Sequence, residues 1–156
     1  MKLLDPNEDQ LKMIRNLLSY QFDEKVANAF IKLPIKISLR LGKLRYVYLE
    51  EKRIMTMRPT DYGFTISLEA GKIILENSDP PRYRVIARND VDYRGDVMGI
   101  DVISSDPLIR PGDEVVIIDY KGQIIGVGKA RAPGFMMASL GKGEAVRLRE
   151  KVQGNG

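Results

Sequence analysis

Two consecutive prolines in Asn77-Ser78-Asp79-Pro80-Pro81 constrain the fold of this 156-residue chain more than any other feature. Neither residue can donate a backbone hydrogen bond, so no helix and no paired strand runs through the segment. The hydrophobic pattern also changes character across it. We therefore expect an α+β chain with an N-terminal helix-plus-antiparallel-sheet module over residues 1–79. A barrel-forming domain follows over 80–151, and 152–156 form a flexible tail.

The first module begins with helical spacing. Leu11, Ile14, Leu18 and Phe22 recur every three or four residues, which puts them on one face of a helix. Asp5-Pro6-Asn7-Glu8 reads as its start, with Asp5 as N-cap, Pro6 in the first turn and Glu8 reaching back. A second helix beginning near Asp23 buries Val26, Ala27 and Phe30, and Pro34 closes the helical section. From Ile35 the period falls to two. Gly42-Lys43 reads as a hairpin turn, and Leu44, Tyr46 and Tyr48 should share one face of the returning strand. A third strand is expected over 53–58 and a fourth over 64–68, then a short helix through Ala70 and Leu75 that Gly71 weakens. Tyr46 and Tyr48 read better as half-buried sheet core than as a stacking platform, and Tyr20-Gln21-Phe22 as a packing corner.

Beyond the prolines come short apolar runs at 83–87, 99–103, 115–118, 124–130 and 145–148, punctuated by glycines. Many short strands at close spacing predict a barrel or sandwich. Asp119-Tyr120-Lys121-Gly122 fits a hairpin turn, and 135–140 fits one or two helical turns.

Composition removes most catalytic chemistry. The chain has no cysteine and no histidine, which excludes disulfides, thiolate or imidazole metal sites and Ser-His or Cys-His nucleophilic pairs. No catalytic residue, metal or cofactor is expected. Asp61, Asp90, Asp92, Asp96, Asp101 and Asp106 are the acids closest to a catalytic reading, and surface loop acids explain them better. No apolar run reaches the length of a membrane span, so we expect a soluble, cytoplasmic protein without a membrane partner.

Net charge is +4, and it is unevenly spread. Residues 32–58 carry eight cations against two glutamates, and 129–151 carry six against two, so the remainder is acidic. Clustered cations suit a polyanionic partner.

The second half resembles a PUA domain, a small RNA-binding barrel, over residues 82–150. The resemblance rests on Arg94-Gly95-Asp96-Val97, the entry from Asp106-Pro107 through Arg110-Pro111-Gly112-Asp113-Glu114-Val115, Gly126-Val127-Gly128, and Gly143-x-Ala145-Val146-x-x-Arg149. The first half is similar to the module that precedes PUA in archaeosine tRNA-guanine transglycosylases. That similarity rests on Tyr20-Gln21-Phe22, Gly42-Lys43-Leu44-Arg45, Thr56-x-Arg58 and Asp61 with Gly63-Phe64. Asp23 stands where that family has glycine, and 132–136 lack the acid expected in that loop.

The resemblance implies a non-catalytic subunit or detached half of a transglycosylase-type system in archaeosine tRNA modification. Its expected partners are RNA, tRNA above all, and a catalytic transglycosylase polypeptide. Arg94, Lys142, Arg147 and Arg149 would hold acceptor-stem phosphates. Gly95, Asp96, Val97 and Met98 would shape the 3′-end pocket together with Gly143, Ala145 and Val146. Glycine there lets backbone amides approach a sugar, and a small Ala145 leaves room for a nucleotide. Lys36, Arg40, Lys43 and Arg45 form a secondary RNA-binding candidate set. The alternatives are a stand-alone adaptor in ribosome assembly or translation, and a protein-interaction module presenting Phe135, Met136 and Met137.

Overall fold

A computed structural model describes residues 2–153; the expected tail residues 154–156 lie outside them. Contacts divide the chain into two compact units between Ser78 and Asp79.

The first unit opens with α1 (Glu8–Gln21) and α2 (Glu24–Ile31). The cap of α1 is Asn7, two residues later than expected. Its side chain accepts from the Gln10 amide at 2.8 Å, and its own amide donates to Gln10 Oε1 at 2.9 Å. Asparagine is as good a cap as aspartate, and both Asp5 and Asn7 have a box partner three residues on; the box that forms is that of Asn7 with Gln10. Asp5 is left outside the helix and pairs with Lys36. Asp23 caps α2 as expected.

An antiparallel sheet follows in sequence order: β1 (Lys36–Arg40), β2 (Lys43–Leu49), β3 (Lys52–Met57) and β4 (Phe64–Ile66). Arg40 pairs with Lys43, so the hairpin turn is Leu41-Gly42, one residue earlier than expected. Both turn residues have positive φ, 53° and 77°, as a two-residue turn of type I′ requires. Register shifts at Ser38/Leu39 and Val47/Tyr48 break the expected alternation. Leu44 and Val47 point into the core, whereas Tyr46 and Tyr48 are only half-buried. A bulge re-aims every side chain beyond it, so Leu44 does not share a face with Tyr46 and Tyr48, which stay together and half-buried as expected.

Ser67 caps α3 (Leu68–Glu76). The core of this unit brings together Ile14 and Leu18 of α1, Val26 and Phe30 of α2, and Val47 and Phe64 of the sheet, all fully buried. Gln21 ties α1 to β4 by donating to the Phe64 carbonyl at 2.8 Å and accepting from its amide at 2.7 Å. Phe22 is buried beside it while Tyr20 is exposed.

The second unit holds β5 (Arg84–Ala87), β6 (Asp96–Met98), β7 (Val102–Ser105), β8 (Glu114–Ile118), β9 (Ile124–Ala130) and β10 (Glu144–Lys151). They form one sheet in the order β6-β10-β9-β8-β5-β7, with only β5 and β8 parallel. Its two outermost strands, β6 and β7, are consecutive in the chain and joined by the single 3-10 turn Gly99–Asp101. So short a link requires the sheet to curl until its edges approach, which makes it a barrel. The run expected as a strand over 99–103 is thus a turn followed by β7. Val85, Val97, Val115, Ile117 and Val146 fill the interior. Asp119 Oδ1 accepts from the Lys121 and Gln123 amides, both at 2.9 Å, and sets the β8–β9 hairpin. A second 3-10 segment, Gly134–Ser139, occupies the stretch expected to be helical.

Candidate nucleic-acid interface

Pairing of β10 with β6 brings the two predicted groove segments side by side. Glu144 lies opposite Met98, Val146 opposite Val97 and Arg147 opposite Asp96. Beyond the strands, the Gly99 amide donates to the Gly143 carbonyl at 2.9 Å and the Ile100 amide to the Gly141 carbonyl at 2.7 Å. Gly99 cannot carry a side chain here. An added Cβ would sit 2.6 Å from Leu140 Cβ and 2.7 Å from the Met137 carbonyl oxygen.

The segments meet, but their side chains divide. Val97, Ala145 and Val146 are fully buried among the barrel core. They therefore present backbone alone, and Ala145 leaves no pocket of its own. Gly95 and Gly143 are exposed, and a Cβ on Gly95 would meet nothing within 4 Å. Arg94 and Arg147 reach solvent, with side chains 88% and 62% exposed, and Lys142 is exposed on the turn before β10. Asp96 is exposed and Met98 half-buried on β6.

Arg149 has a different setting. Its guanidinium pairs through both terminal nitrogens with Glu114, whose side chain is wholly buried. A charge taken out of water needs such a partner, so this arginine serves the barrel wall between β8 and β10.

Arg131 and Glu144 entered the charge count over 129–151 without being singled out as site residues. Glu144 Oε1 lies 3.6 Å from Arg131 Nε and 3.9 Å from Arg147 Nε, while lacking a hydrogen-bond donor. Arg131 is fixed beside β10 by its amide, which donates to the Ala145 carbonyl at 2.9 Å. Only strand pairing brings residues 131 and 144 together, so no local signal could have found them.

The loop between β5 and β6 is clamped by charge. Arg94 and Lys151 hold the Asp92 carboxyl below its ordinary pKa, and Arg88 does the same for Asp90. Asp90 and Asp92 thus serve separate cations. Burial pushes the Tyr93 hydroxyl up to about 12, and it donates to the Arg88 carbonyl at 2.6 Å. Asp106 is buried and accepts from Arg82 Nη1 at 2.6 Å and from the Tyr83 and Leu108 amides at 2.8 and 2.9 Å. Asp61 accepts from Arg58 Nε at 2.9 Å, and Asp101 faces Arg88 at 3.8 Å. Among the described residues no group of three acids, histidines or cysteines is placed to hold a metal ion. None of their helices is long and apolar enough to cross a membrane.

In the first unit, Arg40, Lys43 and Arg45 gather at the β1–β2 hairpin, while Lys36 is occupied by Asp5. The Arg53 guanidinium carbon stands 4.5 Å from the Tyr46 ring centroid and that of Arg45 stands 5.9 Å away. A hydrogen bond from Arg45, reinforced by Arg40 and the nearby positive charge, lowers the Tyr46 hydroxyl pKa.

Comparison with known proteins assigns both units. Residues 87–152 match the PUA domain, and residues 12–81 match the patch-forming domain C2 of tRNA-guanine transglycosylase. The chain is a PUA-domain protein resembling the C-terminal region of archaeal tRNA-guanine transglycosylases. It is 30% identical to the tRNA-guanine(15) transglycosylase of Pyrococcus abyssi over 94% of this chain and 26% of that one. It spans about a quarter of the length of the curated relatives it matches. Two solved structures share its fold along almost all its length. A hypothetical protein from Pyrococcus horikoshii OT3 superposes with a TM-score of 0.73 at 21% identity, covering 99% of this chain and 95% of the other. A conserved PUA domain protein from Thermoplasma acidophilum does so with a TM-score of 0.70 at 17% identity, covering 99% and 96%.

Proposed function

We propose that this chain is a non-catalytic tRNA-binding protein of a transglycosylase-type system in archaeosine formation, acting as a subunit or detached half beside a catalytic polypeptide. Residues 1–79 and 80–151 act as its two domains. The observation that carries the reading is the β6–β10 edge, where Arg94, Lys142 and Arg147 stand in solvent around the open backbone of Gly95 and Gly143. Cations on one edge supply phosphate affinity without base choice. Exposed glycine backbone supplies amides and carbonyls that a ribose hydroxyl can reach. In this reading the three cations hold acceptor-stem phosphates, and Gly95 to Met98 with Gly143 to Val146 meet the 3′ end through backbone. Arg149 supports the wall behind them by neutralising Glu114.

The test is fluorescence anisotropy with a full-length tRNA transcript and the same transcript lacking its 3′ CCA. Loss of affinity on removing CCA is the expected result. Equal affinity for both, no better than for random RNA, would refute an acceptor-end grip.

A further inference from the structure

The first unit carries a groove of about 890 Å³ whose cations, Arg40, Lys43 and Arg45, belong to the secondary RNA-binding candidate set. Leu17 of α1, Leu44 of β2 and Met57 of β3 form part of its apolar lining, and Leu44 and Met57 are buried. Met13, Leu41 and Tyr62 also line it, with 41%, 94% and 61% exposure. Its charged lining is Arg40, Lys43 and Arg45, with no acidic residue. None of the three forms an ion pair among the described residues, and Arg45 Nε is buried without a hydrogen-bond partner.

Two of the exposed side chains stand on unusual backbone. Leu41 has φ of 53° and Tyr62 has φ of 61°, a left-handed conformation that glycine or asparagine adopts more easily. Solvation does not explain a leucine at such a position. A bulky apolar side chain there is consistent with a contact made outside the unit.

The lining chemistry selects among occupants. A single-stranded nucleic acid stacks its bases on aromatic side chains, and this groove offers only Tyr62. A small ligand is mostly enclosed by its pocket, whereas Met13, Leu41 and Tyr62 stand well into solvent. Methionine and leucine in an open groove suit the apolar face of an amphipathic helix. The unopposed cations require that helix to be acidic on its flanks.

We propose that this groove docks an acidic amphipathic helix of a partner protein. Its aliphatic residues, three and four apart, enter between Met13, Leu41 and Tyr62, and its Asp or Glu side chains face Arg40, Lys43 and Arg45. The docking is independent of RNA binding by the second unit.

The experiment uses the full chain with ¹³C-labelled methionine methyls, Met13 and Met57 being the reporters. Three probes are titrated: a synthetic helical peptide with leucine at such spacing and glutamate elsewhere, the same peptide with lysine for glutamate, and a single-stranded oligoribonucleotide. The acidic peptide should shift both methyls, and the other two should not. Arg40→Glu with Lys43→Glu should weaken the acidic peptide at least tenfold. Tyr62→Asn, which relaxes the backbone, supplies a second variant that should also weaken it should the charge reversals disturb folding. Equal shifts by both peptides, shifts by neither, or shifts by the oligoribonucleotide at these methyls would overturn the proposal. Loss of the CCA effect on tRNA affinity would leave it standing.

Discussion

Replacing Arg149 with methionine separates a structural cation from an RNA-binding one. Glu114 has no side-chain exposure, and Arg149, at 35%, closes over it with two terminal nitrogens. Removing one partner of a buried ion pair costs about 3–5 kcal/mol, because the surviving charge stays desolvated. Arg149 is one-third exposed, so water reaches the carboxylate once the guanidinium is gone and the lower end applies, about 3 kcal/mol. That is a large part of the stability of a small domain. Denaturant unfolding of the full chain should show this loss as a lower midpoint at unchanged slope. Glu114→Gln combined with Arg149→Met should recover about half of it, since no charge is then left buried. Below the unfolding range, Arg149→Met should bind tRNA within about twofold of the parent, with the salt slope preserved. A variant of unchanged stability whose salt slope fell by about 0.9 would refute the reasoning and make Arg149 a phosphate contact.

Two glycines of the same region should behave oppositely. Gly99→Ala forces a Cβ to within 2.7 Å of a backbone oxygen and should cost about 2 kcal/mol in thermal or denaturant unfolding. Gly95→Ala, with open space around its Cβ, should stay within about 0.5 kcal/mol while lowering tRNA affinity. Tyr93 ionises more readily in the unfolded chain, at about 10, than in the fold, at about 12. Its contribution is therefore intact below pH 10 and lost as pH rises through 12. Ultraviolet titration should show one phenol ionising near 12 that Tyr93→Phe removes.

The two-unit plan, the helix faces and the barrel strands were legible because each has a strong local signal. Helical spacing runs from Leu11 to Phe22, the diproline stops both helix and ladder, and apolar runs alternate with turns beyond it. The misreadings share one cause, which is competition between neighbouring residues with similar propensity. Asp5 and Asn7 are both good caps, each with a box partner three residues on, and the box that forms is that of Asn7 and Gln10. The residue before Gly42 accepts a left-handed conformation that its type disfavours. Bulges at Arg45 and Ile54 change which side chains face inward, and no period in the sequence marks them. At the candidate site, the sequence located the two segments that β6–β10 pairing unites. It could not tell that Arg149 faces a buried glutamate thirty-five residues earlier, or that Arg131 and Arg147 share Glu144. Such partners are set by strand order in the barrel, which is long-range.

The central claim is that the β6–β10 edge holds tRNA phosphates through three exposed cations. It is tested most directly by measuring tRNA affinity across a salt series for the parent and for Arg94→Ala, Lys142→Ala, Arg147→Ala combined. Each phosphate contact contributes about 0.9 to the slope on duplex RNA-like backbone. The account predicts a slope lower by about 2 to 3 at unchanged stability. An unchanged slope and affinity would contradict it.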